Sequence, residues 1–313
     1  MTNTARTDAG FAAIGGVPLY YEVAGTGRPL VLLHEGFADS RMFDDQIVAL
    51  AAHYRVIRYD RHGCGRSGTP AVPYTHYEVL RELLRHLGIE RASLLGLSMG
   101  GGVAIDATLA CPDMVDALIL VAASVGGYPS SEETMRQWGA IGAALAQGEA
   151  AEAVERTLRM WVDGPHRTPE AVDQAVRERM REMIAHYYTI RGDDPPPLKP
   201  SALARLDEIA TPTLIVVGDG DVPDILAQAE LLRKGIAGSR TVAIPEVAHV
   251  PNMERPALFN RLVLDFLHAQ HGRGGVRPGP AADRFRHRRR PRRTGGGGQR
   301  DLPYRVGRSS ARA

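Results

Sequence analysis

A five-residue turn, Gly96-Leu97-Ser98-Met99-Gly100, joins two segments of opposite character. The run before it, Arg91-Ala92-Ser93-Leu94-Leu95, reads as a buried strand. The run after it, Val103-Ala104-Ile105-Asp106-Ala107-Thr108-Leu109-Ala110, reads as a packed helix. A strand that turns this sharply into a helix forces strained backbone angles on Ser98. Glycines on both flanks leave room for the close contacts that result. The turn also sets the serine hydroxyl at a helix start, where free N–H groups and the helix dipole favour developing negative charge. A bare Gly-x-Ser-x-Gly is common, so its setting and partners decide whether Ser98 is a nucleophile. Such a serine needs a base, an orienting acid and an oxyanion site.

Strands and helices alternate around this turn. Residues 11–14 and 17–23, split by Gly15-Gly16, read as an opening β-hairpin. Leu30-Val31-Leu32-Leu33 is wholly apolar, as in a central strand covered on both faces. A helix over about 43–52, a strand over 54–59 and a helix over 77–87 closed by Gly88 precede the Ser98 strand. Strands over 117–121, 213–217 and 241–244 follow, with helices over about 225–236 and 256–270. This alternation implies an α/β fold: a mostly parallel sheet with helices on both faces, whose ligands bind beyond the carboxyl ends of the strands. Residues 11–124 and 206–271 are assigned to that core.

Residues 125–205 break the pattern, with helical segments and no convincing strand. We expect a helical cap over the strand ends, returned to the sheet by the stiff run Asp193-Asp194-Pro195-Pro196-Pro197. Trp138, Trp161, Met135, Met160, Met183, Tyr187 and Tyr188 are read mainly as the cap's own core, with some left to line an apolar pocket. Residues 272–313 hold 13 arginines against two aspartates and almost no aliphatic side chains, so a disordered tail is expected.

Charge and cysteines narrow the function classes. The formal charge of +2 averages two unlike parts. The tail carries about +11, which leaves the body near about −9. A basic nucleic-acid face on the body is thereby excluded, and only the tail has the charge for one. The tail is read instead as a non-native extension, in keeping with a chain that holds two lysines, Lys199 and Lys234, among many arginines. No apolar run reaches membrane-spanning length. Cys64 and Cys111 stand in no redox or metal-ligand spacing, so a cytoplasmic protein without metal or cofactor is expected.

Asp221 in Asp219-Gly220-Asp221 follows the 213–217 strand, and His249 follows the last strand. Ser98, an acid and a histidine thus all fall beyond strand carboxyl ends, in the order Ser, Asp, His. Here the chain resembles the α/β-hydrolase superfamily over about residues 11–270. The matching motifs are Leu32-Leu33-His34 with Gly36, Tyr59-Asp60-Arg61-His62-Gly63-Cys64-Gly65-Arg66-Ser67, Gly96 to Gly101, Gly218-Asp219-Gly220-Asp221, and His249 with Glu254 and Pro256. Small-lid members such as 3-oxoadipate enol-lactonases and related esterases are the nearest in pattern. The resemblance implies a Ser98, His249, Asp221 triad acting on an ester, lactone or thioester, with Asp219 and then Asp224 as substitutes for the acid. It implies an oxyanion hole from the Met99 N–H and an N–H of the loop after Leu33. Relatives have His-Gly there, whereas this chain reads His34-Glu35-Gly36-Phe37, making Gly36 or, with one insertion, Phe37 the donor.

Glu35 is the departure with consequences. A carboxylate about 5 Å from an oxyanion opposes it by about 3 kcal/mol at an effective dielectric near 20, which cancels one donor. Glu35 is therefore expected to point away from Ser98, or to bind a polar substrate group or His34. His34 is read as a loop brace, Asp60 to Ser67 as a turn with Cys64 buried, and Glu254 as a brace for the histidine loop. Carbon–carbon bond hydrolases and cofactor-free haloperoxidases or perhydrolases share the triad. A ligand-binding receptor on the same fold is the non-enzyme alternative.

Overall fold

A computed structural model describes residues 7–190, 195 and 198–273, with side chains described up to residue 270. Gly272 and Arg273, assigned to the expected tail, instead extend the last helix, because its backbone hydrogen bonding runs on past residue 271. The rest of that tail lies outside the described residues, as does all of the proline run except Pro195. Among the described residues no helix is long and apolar enough to cross a membrane.

Eight strands form one sheet: β1 (Thr7–Ile14), β2 (Val17–Ala24), β3 (Pro29–Leu33), β4 (Arg55–Tyr59), β5 (Ala92–Leu97), β6 (Val115–Val121), β7 (Thr213–Gly218) and β8 (Arg240–Ile244). Their spatial order is β1-β2-β4-β3-β5-β6-β7-β8. β2 runs antiparallel to β1 and to β4, and every later pairing is parallel. β1 starts four residues before the sequence reading, because residues 7–10 find partners in Tyr21 to Ala24.

Helices α1 (Asp44–Ala51), α2 (His76–His86), α3 (Met99–Ala110), α4 (Glu132–Ala146), α5 (Ala150–Thr157), α6 (Gln174–Ile190), α7 (Pro223–Gly235), α8 (Pro251–Glu254) and α9 (Pro256–Arg273) complete the described residues with short 3-10 turns and one π turn. The period of two along each strand splits the core. Val31, Leu33, Leu94, Leu118, Leu120 and Ile215 face α2, α3 and α7. Leu30, Leu32, Leu95, Ile119, Val121 and Val216 face α1 and α9 on the other side. A central strand covered twice must be apolar throughout, which is why β5 and β7 are buried at every position.

Register brings the strand ends together. Leu33 lies beside Gly96, Gly96 beside Leu120, Val121 beside Val216, and Gly218 beside Ile244. The loops that follow β3, β5, β7 and β8 therefore leave the sheet on one edge. Between β6 and β7 the described residues hold α4, α5, α6 and a π turn over Leu158–Asp163, with no strand.

Candidate active site

Ser98 occupies the turn between β5 and α3 with φ 52° and ψ −116°, in the left-handed half of backbone space that β-carbon-bearing residues avoid. Hydrogen bonds hold it there: its N–H donates to the Val121 carbonyl at 2.9 Å, and its own carbonyl accepts from Gly102 and Ser124 at 3.0 Å each. The flanking glycines are required by distance. A β-carbon on Gly96 would lie 2.2 Å from the Gly100 carbonyl oxygen. One on Gly100 would lie 2.2 Å from the Leu33 oxygen and 2.6 Å from the His34 oxygen. The same closeness seats the loop after β3 directly on the start of α3. The helix begins at Met99, four residues before the sequence reading, so the Met99 N–H is a first-turn amide with no acceptor inside the helix.

His249 and Asp221 meet as a buried pair. The His249 Nδ1 lies 2.9 Å from Asp221 Oδ2, and each residue is 1% exposed. Asp221 Oδ1 accepts from the Val222 N–H at 2.7 Å, which fixes the carboxylate plane. Burial pushes the imidazole toward its neutral form, but Asp221 outweighs it and holds His249 above the ordinary histidine range. The other two candidate acids are engaged elsewhere. Asp219 accepts from the Glu246 N–H. Asp224 accepts from the Ser131 N–H; burial pushes its carboxyl up, but hydrogen bonds from Ser131 and Thr134 together hold it below the ordinary range.

The histidine loop is braced by a pair half visible in the sequence. Glu254 accepts from the Ala248 N–H at 3.2 Å and from Arg167 at 2.6 and 3.0 Å. Arg167 also donates to the carbonyls of Asp163, Val162 and Glu246. It ties the π turn of the insertion to the loop after β8. Trp161, from that π turn, lies 4.5 Å from the His249 ring, centroid to centroid, and its carbonyl accepts the His249 N–H.

The loop after β3 is where the structure adds most. His34 is fully buried; its Nε2 accepts the Arg61 N–H at 2.9 Å, so Nδ1 carries the proton and donates to the Glu35 carbonyl at 2.7 Å. Burial, then Arg61, press its imidazole down to about 3, so it stays neutral and acts as a brace. Arg61 donates to the carbonyls of Glu35 and Gly36. Nothing in the turn motif around Arg61 marks it for this work.

Glu35 is 1% exposed and folds back on its own loop: Oε2 accepts the Phe37 N–H at 3.0 Å, with the Gly36 amide close by. Its contact with His34 runs through the backbone carbonyl, not the carboxyl. Phe37, one of the two expected oxyanion donors, thus has its N–H engaged by Glu35. Burial pushes the Glu35 carboxyl up, against the pull of Phe37, His249 and Arg61.

The insertion's aromatic residues close over this loop. The Phe37 ring lies 5.1 Å from Trp138, 6.5 Å from Trp161, 5.6 Å from Tyr187 and 6.5 Å from Tyr188. Trp138 and Trp161, and Tyr187 and Tyr188, also pack on one another, and Met160 and Met183 are buried among other residues of the insertion. The set thus serves both that core and the site loop; Met135, placed in the same set, is 56% exposed. Beside the Ser98 turn a cavity of about 270 Å³ is lined by Met99, Ser124, His76, Tyr77 and Asp106, among others. Burial pushes the Asp106 carboxyl up to about 6. Among the described residues, no His, Cys, Asp or Glu cluster is arranged to hold a metal ion.

Comparison with known proteins gives a consistent picture. A family described as alpha/beta hydrolase fold matches residues 29–256. A putative carbamate hydrolase of Azorhizobium caulinodans is 29% identical over 264 residues, 82% of this chain and 97% of the relative. The enol-lactonase of Burkholderia xenovorans superposes with a TM-score of 0.68 at 26% identity, covering 82% of this chain and 99% of that one. A thermophilic esterase of Thermogutta terrifontis gives 0.69 at 25% identity, over 85% and 100%.

Proposed function

The chain belongs to the α/β-hydrolase family, and from that premise we propose that it is a serine hydrolase cleaving a carboxylic ester, lactone or thioester through an acyl-enzyme. Ser98 is the nucleophile, His249 the base and Asp221 the acid that orients it. The buried 2.9 Å pair of Asp221 and His249, on the same sheet edge as the strained Ser98 turn, is the observation that carries this reading.

His249 Nε2 takes the proton as Ser98 Oγ adds to the carbonyl carbon. Asp221 keeps the proton of Nδ1 in place and stabilises the imidazolium. The first-turn amide of Met99 donates to the oxyanion. His249 then returns its proton to the leaving oxygen or sulfur, and water activated by the same imidazole frees the acyl group. Helices α4 to α6 act as a cap. The aromatic cluster about Phe37 and the mostly apolar cavity beside Met99 suit a modest apolar acyl or alcohol group. The relatives' names, a carbamate hydrolase, an enol-lactonase and an esterase, share attack on a carbonyl carbon. Cys64 and Cys111 are not joined by a disulfide, in keeping with a cytoplasmic setting.

A panel of p-nitrophenyl esters of rising chain length, with several lactones, tests the reading. Turnover that peaks at short acyl chains and disappears in Ser98→Ala and His249→Ala is expected. A panel left wholly unhydrolysed by the folded protein refutes it.

A further inference from the structure

Glu35 is a buried acid for which the triad mechanism has no use. One carboxyl oxygen, Oε2, accepts the Phe37 amide, while Oε1 is buried and has no hydrogen-bond partner. An ionised carboxylate with one oxygen bare in such a place is costly, and a neutral acid avoids burying that charge. In that form Oε2 is the carbonyl-type acceptor for Phe37, and Oε1 carries a proton with nowhere in the resting protein to give it. The group stands at the loop that packs on the start of α3, because the His34 carbonyl would touch any β-carbon on Gly100. A β-carbon on Gly36 would lie 3.9 Å from the Met99 side chain. His249 lies within electrostatic reach of its carboxyl.

We propose that Glu35, as a neutral carboxylic acid, is a further catalytic residue that donates its Oε1–H to the oxyanion in place of the engaged Phe37 amide. The proposal rests on the acyl-transfer reading above. In the addition step the Ser98 Oγ–C bond forms, the carbonyl π pair moves onto oxygen, and the Ser98 proton passes to His249. Glu35 keeps its own proton throughout and lends it only as a hydrogen bond. When the tetrahedral adduct collapses, the oxygen pair re-forms the carbonyl, the bond to the leaving group breaks, and His249 protonates that group. A preorganised acid in an apolar site stabilises an oxyanion without ionising, so the same side chain that would oppose the reaction when charged assists it when neutral. The charged and titratable groups facing Glu35 are His249 from the loop after β8, Arg61 from the loop after β4 and His34 beside it in the chain. Asp221 stands behind His249.

The test is the pH profile of kcat and KM for p-nitrophenyl acetate in the parent protein, Glu35→Gln and Glu35→Ala, with circular dichroism of each. The parent is expected to lose activity on an alkaline limb as Glu35 ionises. Glu35→Gln, whose amide can accept from Phe37 and still donate, is expected to stay within about tenfold of the parent at neutral pH and to lose that limb. Glu35→Ala is expected to lose about a hundredfold in kcat with KM little changed. If Glu35→Ala does not fold, the Glu35→Gln profile decides alone. A Glu35→Ala protein as fast as the parent, a parent flat to alkaline pH, or a limb retained in Glu35→Gln overturns the proposal. Phosphonate labelling of Ser98 separates the two readings. An adduct on the parent alongside an unimpaired Glu35→Ala defeats the role of Glu35 only, whereas no adduct on any of the proteins defeats the acyl-transfer reading and this proposal with it.

Discussion

Replacing Asp221 with asparagine removes one charge from the buried pair while keeping nearly the same shape. Asp221 Oδ2 and His249 Nδ1 are 2.9 Å apart, and both residues are almost wholly out of water. With charge centres near 4 Å and an effective dielectric of about 20, the attraction on a fully formed imidazolium is about 4 kcal/mol. That imidazolium exists only after Ser98 has given up its proton, so the loss falls on the transition state and lowers kcat. At about 1.4 kcal/mol per tenfold, kcat falls by about a thousandfold, and further if the amide also turns the ring to the wrong tautomer. Because Asp221 holds the His249 pKa up, its removal also moves the acid limb of kcat/KM to lower pH. The assay is ester hydrolysis across pH, with Asp219→Asn as control. Asp219 is exposed and its amide replacement still accepts the Glu246 N–H, so that variant is expected to stay within about threefold of the parent. An Asp221→Asn enzyme within tenfold of the parent, or an acid limb that does not move, refutes the assigned role.

Arg167→Ala leaves Glu254 nearly buried without its counter-charge, with side-chain exposures of 15% and 6% in the pair. A stability loss of about 3–5 kcal/mol is expected by urea unfolding, accompanied by lower kcat because the histidine loop loosens. A loss below about 1 kcal/mol would show that the clamp is only a surface pair. Glu35→Gln is expected to raise the Tm by a margin that grows with pH. A carboxyl whose folded pKa is raised is at its most favourable below its unfolded pKa, and loses that advantage as pH rises through the folded value. The gap between variant and parent therefore opens from about pH 4.5 upward, by about 1.4 kcal/mol per pH step of one, until the buried carboxyl itself ionises. A gap that shrinks with pH contradicts the burial of a neutral acid.

Local chemistry makes the sheet and the turn readable in the sequence. β5 and β7 are apolar at nearly every position because both faces are covered, and Gly96 and Gly100 are glycine because carbonyls stand 2.2 Å from where a β-carbon would be. The early start of α3 is hidden because Gly100-Gly101-Gly102 is a poor helix former, while contacts with the loop after β3 and with Ala123 impose the helix. Arg61 and Arg167 carry no local mark because each is placed by a distant partner, Gly36 at 25 residues and Glu254 at 87. No period or short motif encodes such pairings. The aromatic residues of 125–205 are visible, but their convergence on Phe37 depends on how the insertion folds back over the sheet. Glu35 stands out as a departure from pattern, whereas its turn back onto the Phe37 amide is visible only in three dimensions.

The central claim is that Ser98 is an activated nucleophile, and intact-mass analysis after treatment with a fluorophosphonate tests it most directly. One adduct per chain, mapped to Ser98 by peptide sequencing and absent from Ser98→Ala, is expected for the native protein, with labelling slowed in Asp221→Asn. No adduct on folded protein, or equal labelling of Ser98→Ala, would contradict the account.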